Sequence, residues 1–344
     1  MNRISELDLL VRKHLAELSF QPISKKRIPI VVPRTLSLRE NYGETVKLVH
    51  AIRTYALDGF KPLDLYFDGV QTVEPAALMV LTAEIQRCRN LRKIGGKPLV
   101  HGTYPKSPTV HETLRRMGFF KLLQIDENVP EGAGDPPESD VLVVPFLTDA
   151  EVKTERTAEF LDILTRIISG VVEMDDRAER YLYGAIIEAM KNAGEHAYKL
   201  KPQHQAMGRR WWLSGALDLA RKEVSILLFD QGVGIPATLE PDLKTYAESL
   251  ASDLRIHPSD SLMIEVATRS GQTSTGQAGR GQGFASMRKF VDACDDGDLL
   301  VYSNFGLYSY SRAGSSRSDE GTSLGGTLIQ WRFRHSEKIT GLDA

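Results

Sequence analysis

Cysteine is nearly absent from this chain: among 344 residues only Cys88 and Cys294 carry a thiol. Two such thiols supply neither a disulfide framework nor a cysteine-rich zinc site, and their scarcity fits a reducing compartment. Long apolar runs are also missing. Nothing approaches the roughly 20 consecutive apolar residues of a membrane span, and the opening MNRISELDLLVRKHL scatters charges where a secretory signal would hold an apolar core. No charge of one sign dominates. Forty-three Lys and Arg against 45 Asp and Glu leave a formal net charge of −2, so no global field favours nucleic acid or anionic membrane. The short basic clusters Lys25–Arg27 and Arg209–Arg210 read as solvated surface. A G-x-x-x-x-G-K-[ST] run is absent, which excludes a P-loop. From these absences we expect a cytoplasmic protein with no membrane and no nucleic-acid partner.

The length suits two domains better than one. Residues 5–19 read as an amphipathic helix with Leu7, Leu10, Val11, Leu15 and Leu18 on one side, within an N-terminal segment 1–27. From 28 to 125 strands and helices alternate: IPIVV (28–32), a helix from Thr45 to Leu57, LDLYF (63–67), a helix from Pro75 to Arg92, KPLVHG as a third strand, and a helix from Pro108 through Met117. That alternation predicts a small open α/β sheet. Residues 126–140, acidic and rich in Pro and Gly, read as a linker. A second domain is expected over 141–335, followed by a tail, 336–344. Its predicted elements are a strand at 141–147, helices at 156–169 and from Asp175 to Tyr198, a hairpin of 211–217 and 223–229, helical segments within 241–268, a helix at 284–294, and strands at 299–303, 306–311 and 327–333. Residues 269–283, with Gly271, Gly276, Gly279, Gly281 and Gly283, predict a mobile loop, and 312–325 a polar, flexible connection.

Four stretches carry chemistry. In YLYGAIIEAMKNAGEHAY (181–198), Leu182, Ala185, Ile186, Ala189 and Ala193 form an apolar stripe, and Glu188, Asn192 and His196 fall four apart beside it. A carboxylate can take a proton from water, and an amide oxygen one turn away can ligate Mg²⁺. Taken alone, the row also reads as a solvated helix face. Asp230-Gln231-Gly232-Val233-Gly234 follows a predicted strand. A carboxylate there can accept a hydrogen bond from an adenine amino group, and the glycines admit a ligand close to the backbone; alone it is also an ordinary turn. Gly279-Arg280-Gly281-Gln282-Gly283 opens a helix whose N-terminal amides favour phosphate. It is not a dinucleotide fingerprint, because Phe284 stands where the last glycine would be. Gly325-Gly326-Thr327 begins the last strand, with a hydroxyl able to reach a base.

The order of these stretches resembles the GHKL superfamily, the ATPase fold shared by DNA gyrase, heat-shock chaperones, sensor histidine kinases and MutL. EAMKNAGEHA is similar to its N box, LLFDQGVGIP to its first glycine box, TSTGQAGRGQGFASMRKFV to its lid and second glycine box, and GGTLIQWRF to its closing strand. The resemblance covers about residues 155–335. It implies an α/β sandwich with a mixed, mostly antiparallel sheet covered by helices. It further implies that Asn192 holds Mg²⁺ on the phosphates, Asp230 binds the adenine amino group, and Gly232 and Gly234 shape the base and ribose pocket. Gly279, Gly281 and Gly283 would contact phosphates and hinge the lid, Thr327 would support the base, and Glu188 would be the general base. His196 is expected to pack or hydrogen-bond at the pocket edge. LDLYFDGVQTVEPAALMVLTAEI with the later TLRRMGFFKLL resembles a STAS domain over about 28–125. In that family a phosphorylatable Ser precedes the long helix; here Glu74, Pro75, Ala76 and Ala77 stand there, without a hydroxyl.

These resemblances lead us to expect an ATPase acting as a nucleotide-dependent switch in signalling, with ATP and Mg²⁺ as ligands, a protein partner at the STAS-like part, and a homodimer among the arrangements open to it. A protein serine kinase of the anti-sigma type and a non-hydrolysing ATP sensor are the other two readings. The missing Ser argues against phosphorylation in cis. A histidine-bearing dimerisation helix pair and a transducer domain are both missing from the pattern, which disfavours a sensor histidine kinase and a DNA-topology or mismatch-repair protein.

Overall fold

The structure, a computed structural model, describes residues 27–91, 93–94, 97–126, 141–149, 154–169, 173–174, 176–198, 210–269, 282–294, 296–334 and 338–339. The expected N-terminal helix 5–19, most of the 126–140 linker, most of the glycine-rich 269–283 stretch and most of the tail lie outside them. The chain divides into two compact units, one holding the described residues 27–126 and the other those from Val141 onward. Among the described residues no helix is long and apolar enough to cross a membrane.

In the first unit β1 (Ile28–Val31), β2 (Leu63–Tyr66) and β3 (Val100–Gly102) form a parallel sheet in that order. Parallel neighbours need crossovers. These are supplied by α1 (Tyr42–Ile52), which runs on into a π-helical turn at Arg53–Asp58, and by α2 (Pro75–Leu91). The helix expected at 45–57 therefore starts earlier and changes winding near its end. The third strand is shorter than KPLVHG, because Lys97–Pro98 turns back to pair with Lys93–Ile94. After α3 (Pro108–Arg116), the residues Phe119–Leu123 form a further short helix, α4, entered through Gly118 at φ 80°.

Helix α2 is buried along most of its length, and this explains its Ala- and Leu-rich sequence. Its polar residue Glu84 is wholly buried between two guanidiniums, Arg53 at 3.0 Å and Arg87 at 2.5 Å. Burial alone would raise this carboxyl, but Arg87 and Arg53 outweigh it and hold it below the usual carboxylate range. Just before α2, Glu74 accepts hydrogen bonds from Ser37 Oγ at 2.6 Å and the Leu38 N–H at 2.8 Å, tying the 37–40 turn to the helix start.

The second unit is built on a seven-stranded sheet of β4 (Val141–Asp149), β5 (Trp211–Asp218), β6 (Glu223–Asp230), β7 (Gly297–Ser303), β8 (Gly306–Ser311), β9 (Gly314–Asp319) and β10 (Thr327–Arg334). The strand order is β9-β8-β7-β10-β6-β5-β4, and every pairing is antiparallel. The whole chain is thus mixed α/β with one large antiparallel sheet. Helices α5 (Thr154–Ser169), α6 (Asp176–Glu195) and α10 (Gln282–Ala293) cover one face. Alternate strand residues, among them Val224, Ile226, Leu228, Ile329, Trp331 and Phe333, meet Leu182, Ala185, Ile186 and Ala189 of α6 and Phe290 of α10 in one core. Between β6 and α10 come the one-turn α7 (Ile235–Thr238), then α8 (Pro241–Asp253) and α9 (Asp260–Arg269), which share a satellite cluster of Ala247, Ala251, Leu262 and Val266.

One expectation fails within 312–325. Residues Gly314–Asp319 are not a flexible connection but the edge strand β9, paired with β8. GSSRSD has no apolar alternation because an edge strand with exposed side chains needs only its backbone. Asp319 holds it in place by accepting from the Ser261 N–H at 3.0 Å and hydroxyl at 2.9 Å, and Arg317 pairs with Glu265 at 2.9 Å. At the opposite edge Pro145 sits within β4, where a missing N–H is tolerated. The register against β5 shifts there, between Leu213 and Gly215.

Glu84→Ala would strand two guanidiniums in the first unit. It should cost about 3–5 kcal/mol in denaturant unfolding of the full chain, whereas Arg166→Ala, which removes an exposed pair with Asp162, should change it by less than about 1 kcal/mol. Equal, small effects would show that the Glu84 cluster is not a buried network.

Candidate functional site

The antiparallel register fixes the site. Across the sheet, Asp149 pairs with Trp211, Trp211 with Asp230, Asp230 with Thr327, Thr327 with Ser303, and Ser303 with Gly306. Cross-strand partners share a face. Asp230 is two residues beyond Leu228, Thr327 two before Ile329, and Ser303 two beyond Val301, all core residues on the helix side. One row at the sheet end therefore presents a carboxylate and two hydroxyls to the side on which α6 and α10 lie. Ser303 Oγ and Thr327 Oγ1 are 3.0 Å apart, and both residues are buried.

The segment after Asp230 leaves the sheet with its backbone groups bonded, as a buried loop requires. The Gln231 N–H donates to the Tyr198 hydroxyl at 3.0 Å, the Gly232 N–H to Asp230 Oδ1 at 2.8 Å, and the Val233 N–H to the Ala197 carbonyl at 2.8 Å. The Ile235 N–H donates to Ser303 Oγ at 2.8 Å, and Asn304 Nδ2 donates to the Val233 carbonyl at 3.0 Å. Two glycines are obligatory on steric grounds. A Cβ on Gly232 would lie 2.4 Å from the Ala197 carbonyl oxygen, and one on Gly326, at φ 139°, would lie 2.1 Å from the Asp230 carbonyl oxygen. Gly234, at φ 84°, precedes α7 beside the Asn304 side chain.

Asp230 is 5% exposed. Burial pushes its carboxyl up to about 7, against the N–H groups of Gly232 and Thr327, which favour the charged form. Among the described residues no ion pair reaches it. The group is thus a directed, nearly dry carboxylate that changes charge around neutral pH. Such a group suits a neutral ligand that offers an N–H.

Glu188 and Asn192 lie one turn apart on α6, both half-buried, and flank the buried Ala185, Ala189 and Ala193. The helix ends at Glu195, so the expected row of three stops at Asn192. Its carbonyl takes the N–H groups of His196 at 3.0 Å and Ala197 at 3.3 Å. His196 follows in the turn after the helix. Its side chain is 52% exposed, with Nε2 4.0 Å from the Glu195 carboxylate. Gly279 and Gly281 lie outside the described residues, and Gly283 stands in the first turn of α10, which packs along α6. Among the described residues no cluster of three or more His, Cys, Asp or Glu could hold a metal. The Asn192 side chain carries an amide oxygen of the kind that can ligate a phosphate-bound Mg²⁺. Sequence reasoning did not single out Tyr198, Ser303 or Asn304. Tyr198 does fall within the opening motif, but nothing in its spacing marks its hydroxyl.

No protein-family model matches the chain, and no curated protein matches it.

The raised Asp230 carboxyl has a sign that can be tested. A carboxyl whose folded value lies above its ordinary 3.8 contributes stability that is complete below pH ~4 and is lost as pH rises through about 7. The difference, roughly three units, amounts to about 4 kcal/mol at full ionisation. Asp230→Asn cannot ionise, so it should match the wild type near pH 4 and exceed it at pH 8 in thermal unfolding without ligand. Parallel pH profiles for the two proteins would refute the buried-charge reading.

Proposed function

We propose that the second unit is a Mg²⁺-ATP-binding module of the GHKL type and that the first is a STAS-like signalling module, the pair acting as a nucleotide-dependent switch. The observation that carries the reading is the Asp230 carboxylate. It is buried at the end of a central strand and oriented by Gly232. Thr327 stands beside it, and it lies on the face covered by the helix bearing Glu188 and Asn192. A buried carboxylate flanked by glycine is what an adenine amino group needs, since the ring can approach the backbone and its N–H replaces water on the oxygen.

In this reading Asp230 selects the base, Gly232 and Gly234 leave room for base and ribose, and Thr327 with Ser303 supplies hydroxyls beneath the base. Asn192 ligates the Mg²⁺, and the start of α10, with Gly283, faces the phosphates. When bound, the cation would neutralise phosphate charge at the reacting end. Glu188, one turn before Asn192, orients a water and takes its proton, a role worth roughly 10²–10⁴ in rate.

The test is incubation of the protein with γ-labelled ATP and Mg²⁺, with and without cell extract. Release of label as phosphate is the expected result. Glu188→Gln should retain affinity and lose turnover by the factor above, whereas Asn192→Ala should lose Mg²⁺-dependent affinity. Hydrolysis at an unchanged rate in Glu188→Gln would remove Glu188 from the chemistry. Label on protein would favour the serine-kinase reading, and label left on bound ATP the sensor reading.

A further inference from the structure

The end of α6 and the loop after Asp230 are tied by three contacts, and one of them runs through a side chain. Trp211 and Asp230 are the last registered pair of β5 and β6. Just beyond that pair the Tyr198 hydroxyl spans both strands: it accepts from the Gln231 N–H at 3.0 Å and donates to the Arg210 carbonyl. The Tyr198 residue is 2% exposed. Next to it, the Ala197 carbonyl accepts from the Val233 N–H at 2.8 Å, and Ala197 fills the space that a side chain on Gly232 would take. Ala197 in turn donates its N–H to the carbonyl of Asn192 at 3.3 Å. Hydrogen bonds therefore lead from Asn192 through Ala197 to Val233, one peptide from Gly232, whose own N–H bonds the Asp230 carboxylate.

We infer that Tyr198 is a positioning residue that fixes the Glu188–Asn192 row relative to Asp230, so that the site takes a ligand by both ends at once: an adenine at Asp230 and a metal-bound polyphosphate at Asn192. The inference rests on the nucleotide reading above and adds to it. A ligand held at two points gains from the fixed spacing between them, because binding at one end presents the other at high effective concentration. Removing the hydroxyl leaves the ring in place and each separate contact available, but loosens that spacing.

The experiment compares adenosine, which engages only the base end, with Mg²⁺-ATP, which engages both, in the wild type, Tyr198→Phe, Asn192→Ala and the double variant. Tyr198→Phe should weaken Mg²⁺-ATP about tenfold and adenosine by less than about threefold. In the Asn192→Ala background, where the phosphate end is already lost, the same change should leave Mg²⁺-ATP affinity within about threefold. A purely structural role for Tyr198 would instead weaken both ligands equally and add to the effect of Asn192→Ala. That result would overturn the inference and leave the nucleotide reading standing. A wild type that binds neither ligand would overturn the nucleotide reading, and the inference with it. If Tyr198→Phe fails to fold, amide hydrogen exchange of the wild type decides. Mg²⁺-ATP should slow exchange at the 193–198 turn and at Gln231 and Val233 together, and adenosine should slow it only at the latter two; independent responses to Mg²⁺-ATP would contradict the coupling.

Discussion

Burying a carboxylate that no ion pair among the described residues reaches is the constraint around which the second unit is arranged. Asp230 occupies the end of β6, with β5 on one side and β10 on the other, so its place is set by two antiparallel registers rather than by a loop. Desolvation alone would make such a group neutral. The N–H groups of Gly232 and Thr327 oppose that and leave it near the middle of its titration at neutral pH. The group costs stability whenever it is ionised, and proteins tolerate costs of this kind chiefly at sites that bind something. The glycines follow from the same requirement, since the chain must turn at Gly232 against Ala197 and pass Gly326 against the Asp230 carbonyl.

The sheet and α6 then act as one frame. The residues that bury α6, Leu182 through Ala193, lock its axis to the core face of β5, β6 and β10. The turn that follows, from His196 to Tyr198, is spent on the sheet end rather than on solvent: Ala197 and Tyr198 hold the backbone of residues 231–233. On the far side Asn304 bonds both the 231–236 loop and Gly326, so the exits of β6, β7 and the entry of β10 are joined. The first unit uses a different device. Its central helix α2 is buried along most of its length, and the carboxylate it cannot leave bare, Glu84, is closed between Arg53 and Arg87. Glu74 is committed to the Ser37–Leu38 turn, so it serves as a structural clasp.

Much of this frame was legible in the sequence, because strong periodicity and turn chemistry leave few options. The hairpin of β5 and β6 and the long helix that carries Glu188 and Asn192 have apolar runs bounded by Gly, Pro or Asp. The register that sets Asp230, Thr327 and Ser303 in one row was not legible, because pairing between strands far apart in sequence leaves no local trace. The polar strand β9 was missed for a related reason: an exposed edge strand needs only its backbone, so GSSRSD reads as loop. Helix periodicity also carried the polar row one turn too far, to His196, because nothing in GEHAY announces the stop at Glu195. The role of Tyr198 depends on where Arg210 and Gln231 meet, which is a tertiary fact.

The central claim is that Asp230 accepts a hydrogen bond from an adenine amino group. Inosine triphosphate tests it most directly, because it replaces that amino group with a carbonyl oxygen and leaves ribose, phosphates and Mg²⁺ unchanged. At pH 8, where the carboxylate is ionised, the wild type should bind Mg²⁺-ATP at least about tenfold more tightly than the inosine nucleotide, the lower end of what a charged hydrogen bond contributes. Asp230→Asn, whose amide can donate to the carbonyl, should narrow or reverse that preference. Equal affinity of the wild type for the two nucleotides by calorimetry would contradict the account, whatever the protein's activity toward ATP.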